Sequence, residues 1–322
     1  MNNKLAVIIP YAQEGANTFF TCRAVHEDLL DIEHEIIVVD NMCDELSTQL
    51  SKKNETPDRG HDRLDKHGKL VESHLKTISK QCSWLKYLQY NKELSHWQCK
   101  SFAVKNTDAN FLMFIDAHCI PAQNSLRGIY NFYKEFHKEN QTTLHLPLTY
   151  NLLDDKRLIY ALQYKIDEGF VGYTFCSASK KEDYYEVPCM STCGCILTRR
   201  VYDQLFNAWD TLKSYGGGEN ILNYVLSIQG IKHYIYNKGT LFHHGNTRGY
   251  HWTWDGFQYN RATAMYLIGG DDFMWKYMYY LKGNVNIIKK IGELALQQNN
   301  MIREEIKKYQ TISIEDYIKC WN

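Results

Sequence analysis

The stretch Phe111–Cys119, FLMFIDAHC, decides how this chain of 322 residues is interpreted. It begins with five apolar residues, a run of buried-strand length, and Asp116 and His118 follow where the chain leaves that strand. A carboxylate and an imidazole two residues apart can converge on one cation, and this mixed pair suits Mn²⁺ better than Ca²⁺. The stretch predicts a strand with a metal site at its carboxyl end. Taken alone, it is explained equally well by a capping Asp116 beside an incidental histidine.

Apolar runs of strand length alternate with helical patterns on both sides of this stretch. The predicted strands are Leu5–Pro10, His34–Asp40 and Thr143–Leu148, and the predicted helices are Asn17–Leu30, N-capped by Asn17 or Thr18, and Ser125–Lys138. Such alternation predicts an α/β fold with a mostly parallel sheet, helices on both faces and ligands at the carboxyl ends of the strands. Asp40 and Asp116 both lie at such ends, so both are candidate ligand-binding residues.

A third metal ligand is predicted in TLFHHGNTRG, residues 240–249. His243 and His244 follow the apolar run Gly239–Phe242, and adjacent side chains of an extended segment point to opposite sides. Only one of the two is therefore expected to join Asp116 and His118, and a structural histidine pair is the alternative. Arg248, close behind, has the donor geometry to neutralise a phosphate.

The segment SYGGGENILNYVLSIQG, residues 214–230, combines three glycines with a carboxylate and an amide. Glycines let the backbone pass close to a ligand, and Glu219 and Asn220 precede a predicted helix, Ile221–Ile228. Side chains placed there can hold the hydroxyl groups of a ligand or orient an acceptor. The alternative is a helix N-terminus with an acidic first turn.

Composition limits the partners and the location of the chain. It carries 37 basic and 37 acidic residues, a formal charge of zero that argues against strong non-specific binding to nucleic acid. No apolar run is long enough to span a membrane, and the first residues carry no leader-like pattern, so a cytoplasmic protein with ten reduced cysteines is expected. The spacing of Cys189, Cys193 and Cys195 is poor for structural zinc.

One segment, Lys52–Lys105, departs from this neutral average with twelve basic and six acidic residues. Its basic residues are interleaved with Trp84, Tyr87, Tyr90 and Trp97, a pattern compatible with phosphate contact and base stacking. A solvated basic surface is the favoured interpretation. Beyond about Phe273 the pattern is helical.

The order of six motifs resembles a known family. They are IIPYAQEG, IIVVDN, HWQCKSFAVKN, FLMFIDAHC, PCMSTCGCILTRRVYDQ and YGGGEN. Together they are similar to the catalytic domain of the polypeptide N-acetylgalactosaminyltransferases and of family-2-type enzymes, which have the GT-A glycosyltransferase fold. DAHC stands unchanged at Asp116–Cys119, while the family's W-G-G-E-N becomes Gly216–Asn220 with glycine at the tryptophan position. The resemblance covers about residues 4–270 and leaves 271–322 as a helical extension.

The resemblance implies a role for each candidate residue. Asp116, His118 and His243, with His244 as the fallback, would hold Mn²⁺ or Mg²⁺ against the diphosphate of a nucleotide-sugar, with a UDP-sugar favoured. The residues implied in donor binding and transfer are Pro10, Tyr11, Glu14, Asp40, Gly217, Gly218, Glu219, Asn220 and Arg248. The implied reaction is retaining transfer of the sugar to a hydroxyl of a protein or glycan.

Two alternatives to this function stay open at this point. The basic segment would suit an enzyme that glycosylates a hydroxymethylated base of viral DNA in the host cytoplasm. A protein that binds a nucleotide-sugar without turnover is the alternative from another class. A nicotinamide enzyme is disfavoured because PYAQEG, rather than a glycine fingerprint, follows the first strand.

Overall fold

The computed structural model describes residues 3–12, 14–52, 71–138, 141–151, 156–244 and 251–321. The strands within these ranges fall into two sheets. In chain order they are β1 (Leu5–Tyr11), β2 (His34–Asp40), β3 (Leu85–Gln89), β4 (Phe111–Phe114), β5 (Cys119–Pro121), β6 (Thr142–His145), β7 (Leu148–Thr149), β8 (Leu158–Lys165), β9 (Phe170–Ser177), β10 (Tyr184–Val187), β11 (Cys195–Thr198), β12 (Lys232–Tyr236) and β13 (Leu241–His243).

Helices flank the larger sheet and form the C-terminal part of the chain. They are α1 (Ala16–Asp28), α2 (Asp44–Lys52), α3 (His74–Ser79), α4 (His96–Lys105), α5 (Ser125–Phe136), α6 (Arg199–Asp203), α7 (Gly218–Asn220), α8 (Leu226–Ile228), α9 (Trp254–Tyr280), α10 (Val285–Tyr309) and α11 (Ile314–Lys319). A π-helical turn, Ile221–Val225, joins α7 to α8, and short 3₁₀ turns lie at Ile166–Glu168 and Ala208–Thr211. No helix in the described ranges is long and apolar enough to cross a membrane.

The larger sheet has eight strands in the order β10-β12-β6-β11-β4-β1-β2-β3. Strand β1 lies parallel to β2 and β4, and β3 extends the parallel half beyond β2. The smaller sheet, in the order β5-β13-β7-β8-β9, begins immediately beyond Asp116 and His118. Because β1, β2 and β4 run in the same direction, their carboxyl ends meet at one edge, next to the smaller sheet.

Two separate cores lie on the two faces of the larger sheet, because successive side chains of a strand point to opposite sides. Leu5, Val7 and Ile9 of β1 pack with α1 and α5. Ala6 and Ile8 belong to the core formed with α4 and the C-terminal helices. All five side chains are fully buried. The predicted α/β class, with helices on both faces of the sheet, is confirmed.

Two local predictions from the sequence are wrong. The expected strand Thr143–Leu148 divides into β6 of the larger sheet and β7 of the smaller sheet, since Pro147 between them has no N–H to offer a ladder. The Pro147 carbonyl accepts a hydrogen bond from the Leu241 N–H at 3.0 Å instead. Neither Asn17 nor Thr18 caps α1, which begins after Gly15 and has no side-chain cap.

Helical expectations in the second half of the chain also needed correction. The expected helix Ile221–Ile228 contains a π turn, in which the Asn223 side chain bonds the Met190 N–H and carbonyl at 2.8 and 2.9 Å. The C-terminal helices start at Trp254, well before the expected Phe273. The sequence did not indicate this start, because α9 is buried on several sides and shows no clear apolar stripe. Gly270, with φ 80°, interrupts α9. A domain division at residue 270 stays a prediction.

Because two histidines are buried, we expect the fold to lose stability in acid. Burial lowers the pKa of His233 from 6.5 to about 4 and that of His145 to about 3. Unfolded histidine binds a proton below about pH 6.5, so the native state loses stability as the pH falls from 6.5 towards 4. The loss should reach about 3 kcal/mol for His233 alone. Urea unfolding at several pH values measures this loss in the free energy of unfolding.

The variant His233→Gln should flatten the dependence of the unfolding free energy on pH, whereas the same change at exposed His251 should leave that dependence as it is. An unchanged slope in His233→Gln would contradict the assignment.

Candidate functional site

A cavity of about 340 Å³ opens at the carboxyl ends of β1 and β4. Its wall is shared by the ends of strands β1, β4 and β13, the β8–β9 hairpin, and Tyr215 and Glu219 on either side of the glycines. The sequence-predicted residues that line it are Pro10, Tyr11, Glu14, Asp116, His118, Glu219 and His243. The topology thus brings residues from distant motifs to one site.

Asp116, His118 and His243 form a compact group of possible metal ligands. One ligand atom of each lies within 4.8 Å of the others. Backbone pairing builds the group, because His243 on β13 stands opposite Cys119 on β5. His243 Nε2 lies 3.3 Å from Asp116 Oδ2. His244 is exposed and lies outside the cavity wall, and its N–H donates to the His118 carbonyl. Of the two adjacent histidines, His243 is therefore the one that faces the group.

The donor set fits a divalent transition-metal ion. One carboxylate and two imidazoles supply the mixed oxygen and nitrogen ligands that suit Mn²⁺ and similar ions. Asp116 Oδ1 is buried and accepts no hydrogen bond from the described residues. Buried carboxylate oxygens normally have a partner, so this atom is consistent with coordination of a cation.

Positive groups keep Asp116 ionised in its partly buried position. Burial alone would raise the pKa of its carboxyl, but the Lys100 ammonium and the contact with His243 hold that pKa well below its usual value. Lys100 Nζ lies 3.8 Å from Asp116 Oδ1, and His96 Nε2 lies 3.7 Å from it. For His243, burial lowers the pKa, but the hydrogen bond and charge of Asp116 together with the nearby Cys193 more than offset burial and raise the pKa to about 9.

Sequence reasoning missed Lys100, which it counted within the solvated basic segment. The side chain is fully buried, with Nζ 3.1 Å from Thr192 Oγ1 and 5.0 Å from the centroid of the Trp97 ring. Helical spacing carries the signal that would have found it. Trp97, Lys100 and Val104 are three and four residues apart, so they share the buried face of α4.

Glu219 presents a carboxylate that several donors hold in place. Tyr160 and Tyr173 of the β8–β9 hairpin donate their hydroxyls to it, and their rings stack with centroids 4.1 Å apart. The Thr192 N–H and hydroxyl donate to Glu219 Oε1 at 3.1 and 3.3 Å. These bonds fix the carboxylate in the cavity wall. Neither tyrosine was singled out from the sequence, because the hairpin was not predicted.

Asp40 takes a different position from the other predicted residues. It is completely buried, accepts a hydrogen bond from the Tyr87 hydroxyl and does not line the cavity. Asn41, the next residue, lines the cavity instead. On the same side, Glu14 Oε2 accepts from the Ala12 N–H at 2.9 Å, which orders the turn after β1.

The glycine-rich loop packs behind the cavity rather than against its space. A Cβ on Gly218 would lie 2.2 Å from the Trp97 ring, and one on Gly217 would lie 2.6 Å from the Asn260 backbone. Gly217 also has φ 74°, which favours glycine. Asn220 is buried and donates to the Val171 carbonyl at 2.7 Å. These three residues position Glu219 and are not part of the cavity wall.

Two further predictions concern residues that the structure describes only in part. Arg248 lies outside the described residues, and so do residues 53–70 of the basic segment. In the described part of that segment, the aromatic side chains are used internally. The Trp84 ring stacks on His26, the Tyr90 hydroxyl bonds Gln98, and Trp97 is buried. With Tyr87 bonded to Asp40, this part offers no platform of free rings for base stacking.

Comparison with solved structures identifies the fold. A crystal structure of GalNAc-T7 with UDP, GalNAc and Mn²⁺ matches 92% of this chain and 56% of that chain, with a TM-score of 0.59 and 12% identity. A crystal structure of S. aureus TarS matches 98% of this chain and 54% of that chain, with a TM-score of 0.52 and 11% identity. This chain therefore spans only about half the length of these structures, and it has the GT-A-type glycosyltransferase fold. The resemblance drawn from the motifs is confirmed at this level.

No protein-family model matches the sequence. No curated protein matches it either.

Proposed function

We propose that this protein is a metal-dependent glycosyltransferase that moves a sugar from a nucleotide-sugar to a hydroxyl acceptor. The observation that carries the proposal is the placement of Asp116, His118 and His243 in one cavity with the fixed carboxylate of Glu219. A cation group and a hydroxyl-binding group side by side suit the two halves of a sugar diphosphate. The fold shared with GalNAc-T7 and TarS agrees with this assignment.

Asp116, His118 and His243 would hold Mn²⁺ or Mg²⁺, which when bound supplies Lewis-acid neutralisation of the charge on the departing diphosphate. Lys100 adds a fixed positive charge behind Asp116 and keeps that carboxylate ionised. Arg248 would add a further positive charge if it turns towards the phosphates, as the motif resemblance implies.

The two ends of the cavity suit the two ends of the donor. Pro10, Tyr11 and Glu14 line the side next to β1, where the nucleoside would lie. A UDP-sugar is favoured by the motif resemblance, and GalNAc-T7 was crystallised with UDP. On the other side, Glu219 would accept a hydrogen bond from a hydroxyl of the sugar through the second lone pair of Oε2, whose donor among the described residues is Tyr173. Asp40, Gly217, Gly218 and Asn220 act by supporting these contacts.

Retention of the anomeric configuration is the stereochemistry that we infer. Inverting transfer needs a side-chain base that takes the proton of the attacking hydroxyl. Among the described residues, the carboxylates that line the cavity are Glu14, Asp116 and Glu219. Glu14 accepts from the Ala12 N–H, Asp116 belongs to the metal group, and the oxygens of Glu219 are already bonded to donors. The imidazole of His96, which also lines the cavity, lies 3.7 Å from Asp116 Oδ1. The engagement of these described side chains favours front-face transfer, in which a phosphate oxygen of the leaving group takes the proton.

The acceptor that we propose is a hydroxyl of a protein or glycan that the enzyme meets in the cytoplasm. Tyr150 and Phe175 line the cavity and remain 40% and 47% exposed. Aromatic faces at a cavity mouth pack well against a sugar ring or an apolar side chain. The internal use of Trp84, Tyr87, Tyr90 and Trp97 gives the DNA alternative no comparable support.

A donor panel tests the function. UDP-GalNAc, UDP-GlcNAc, UDP-glucose and GDP-mannose are each incubated with and without Mn²⁺, and release of the nucleoside diphosphate is measured. We expect Mn²⁺-dependent hydrolysis of at least one UDP-sugar. Glu219→Gln should slow it by about a hundredfold, because the carboxylate charge is lost. Glu186→Gln, on the surface beside Lys232, serves as the matched control. Binding of a UDP-sugar without any turnover would favour the non-catalytic alternative.

A further inference from the structure

Two buried cysteines meet beside the metal group. Cys119 Sγ lies 3.3 Å from Cys193 Sγ. Cys119 is fully buried at the start of β5, whereas Cys193 reaches the cavity wall from the loop before β11. The spacing of cysteines in the sequence pointed elsewhere, to Cys189, Cys193 and Cys195. In the described residues it is the distant Cys119 that comes into contact with Cys193.

His243 completes a second set of ligands with these thiols. One ligand atom each of Cys119, Cys193 and His243 lies within 4.8 Å of the others. The pairing of β13 with β5 places His243 directly opposite Cys119. The Nδ1 atom of His243 is buried and makes no hydrogen bond with the described residues, while Nε2 faces Asp116. The imidazole therefore has one nitrogen near Asp116 and a second nitrogen without a partner in the described residues.

We propose that Cys119, Cys193 and His243 form a binding site for a thiophilic divalent cation, Zn²⁺ in the first place. Two thiolates and one imidazole are ligands that zinc prefers over the oxygen ligands of Mg²⁺ or Mn²⁺. In a tetrahedral site with Zn–S bonds of about 2.3 Å, the two sulfurs are about 3.8 Å apart. The present separation of 3.3 Å needs only a small opening. The fourth position would face the cavity, where water or a substrate oxygen can occupy it.

The two metal sites use the same imidazole, with Nε2 of His243 facing Asp116 and Nδ1 left for the second cation, so occupation of one site is expected to weaken binding at the other. Zinc at Nδ1 places a second dication next to the Asp116 group, and the two cations repel each other. When the metal binds, both thiols and the His243 imidazolium each release a proton to solvent, since the ligands are two thiolates and a neutral imidazole. We therefore expect zinc to inhibit the Mn²⁺ site through His243, the residue that the two ligand sets share.

Cobalt titration tests the proposal directly. Co²⁺ substitutes for Zn²⁺ and gives a thiolate-to-metal charge-transfer band in the near ultraviolet. We expect the band at one equivalent of Co²⁺ in the wild-type protein, its displacement by Zn²⁺, and binding at least about tenfold weaker in Cys119→Ser and Cys193→Ser. Cys195→Ser, another buried cysteine nearby in the chain, is the matched control and should keep the band. Far-ultraviolet circular dichroism verifies that each variant is folded.

A second measurement reads the competition without any transferase assay. Thermal stabilisation by Mn²⁺ is titrated in the presence of Zn²⁺. Zinc should shift the Mn²⁺ response to higher concentration in the wild type, and the shift should shrink about tenfold in Cys119→Ser. The proposal is overturned by a cobalt band that keeps its wild-type intensity and affinity in Cys193→Ser, or by a Cys119–Cys193 disulfide in protein kept under reductant. Both readouts follow metal binding alone, so they stand or fall independently of the proposed reaction.

Discussion

Replacing Asp116 by Asn is expected to slow Mn²⁺-dependent release of nucleoside diphosphate by roughly 10²–10³-fold, the usual cost of losing one group that stabilises transition-state charge. The change keeps the size of the side chain but removes the one charged member of the metal-binding group that Asp116 forms with His118 and His243. It also removes the counter-charge of the buried Lys100. Initial rates with a UDP-sugar at several Mn²⁺ concentrations measure the effect.

Asp108→Asn is the matched control for this substitution. Asp108 carries the same side chain on the surface, where it pairs with Lys4, and its variant should keep wild-type rates. In Asp116→Asn, the thermal stabilisation by Mn²⁺ should disappear together with the activity. If turnover and Mn²⁺ stabilisation were both unchanged, the assignment of the metal ligands would be wrong.

Replacing Lys100 by Met is expected to have the opposite effect on metal binding. The ammonium lies 3.8 Å from Asp116 and competes with a bound cation for the charge of that carboxylate. At an effective dielectric constant of about 20, an ammonium and a divalent ion a few ångströms apart repel each other by several kcal/mol. Even after solvent reduces this repulsion, Mn²⁺ should bind at least about tenfold more tightly to Lys100→Met.

Without metal, Lys100→Met should be less stable than the wild-type protein. Among the described residues Asp116 then keeps only its histidine neighbours, so a partly buried carboxylate loses its main counter-charge. The gain in melting temperature on adding Mn²⁺ should therefore be larger than in the wild type. Lys105→Met, one turn further along α4 and exposed beside Asp210, should resemble the wild type in both measurements. Weaker Mn²⁺ binding in Lys100→Met would show that the lysine supports the cation rather than competing with it.

Much of the candidate site could be predicted because its chemistry is local. The pair Asp116 and His118 needs only the end of one strand, and Glu219 needs only a glycine-rich loop. The choice between His243 and His244 could not be made from their adjacency, since a strand presents both sides equally. It was decided by the pairing of β13 with β5, which directs His243 to Asp116.

Features that depend on packing between distant elements could not be predicted. Helical spacing is enough to place Lys100 on the buried face of α4, but only the packing of that helix shows that the ammonium lies beside Asp116. The sequence suggests that Gly217 and Gly218 contact the ligand, but they pack against Asn260 and Trp97 instead. Tyr160 and Tyr173, which hold Glu219, come from a hairpin whose strands carry no clear alternation of apolar and polar residues.

The sequence by itself determined the α/β class and the carboxylate and histidine of FIDAHC, because strand periodicity and the chemistry of neighbouring side chains act over a few residues. Only the tertiary structure decided which residues meet at the end of that strand. His243, Lys100 and Cys193 each reach Asp116 or Cys119 through sheet pairing and helix packing across long stretches of chain, and Glu219 comes to line the same cavity. Those contacts depend on three-dimensional burial, and no spacing along the chain encodes them.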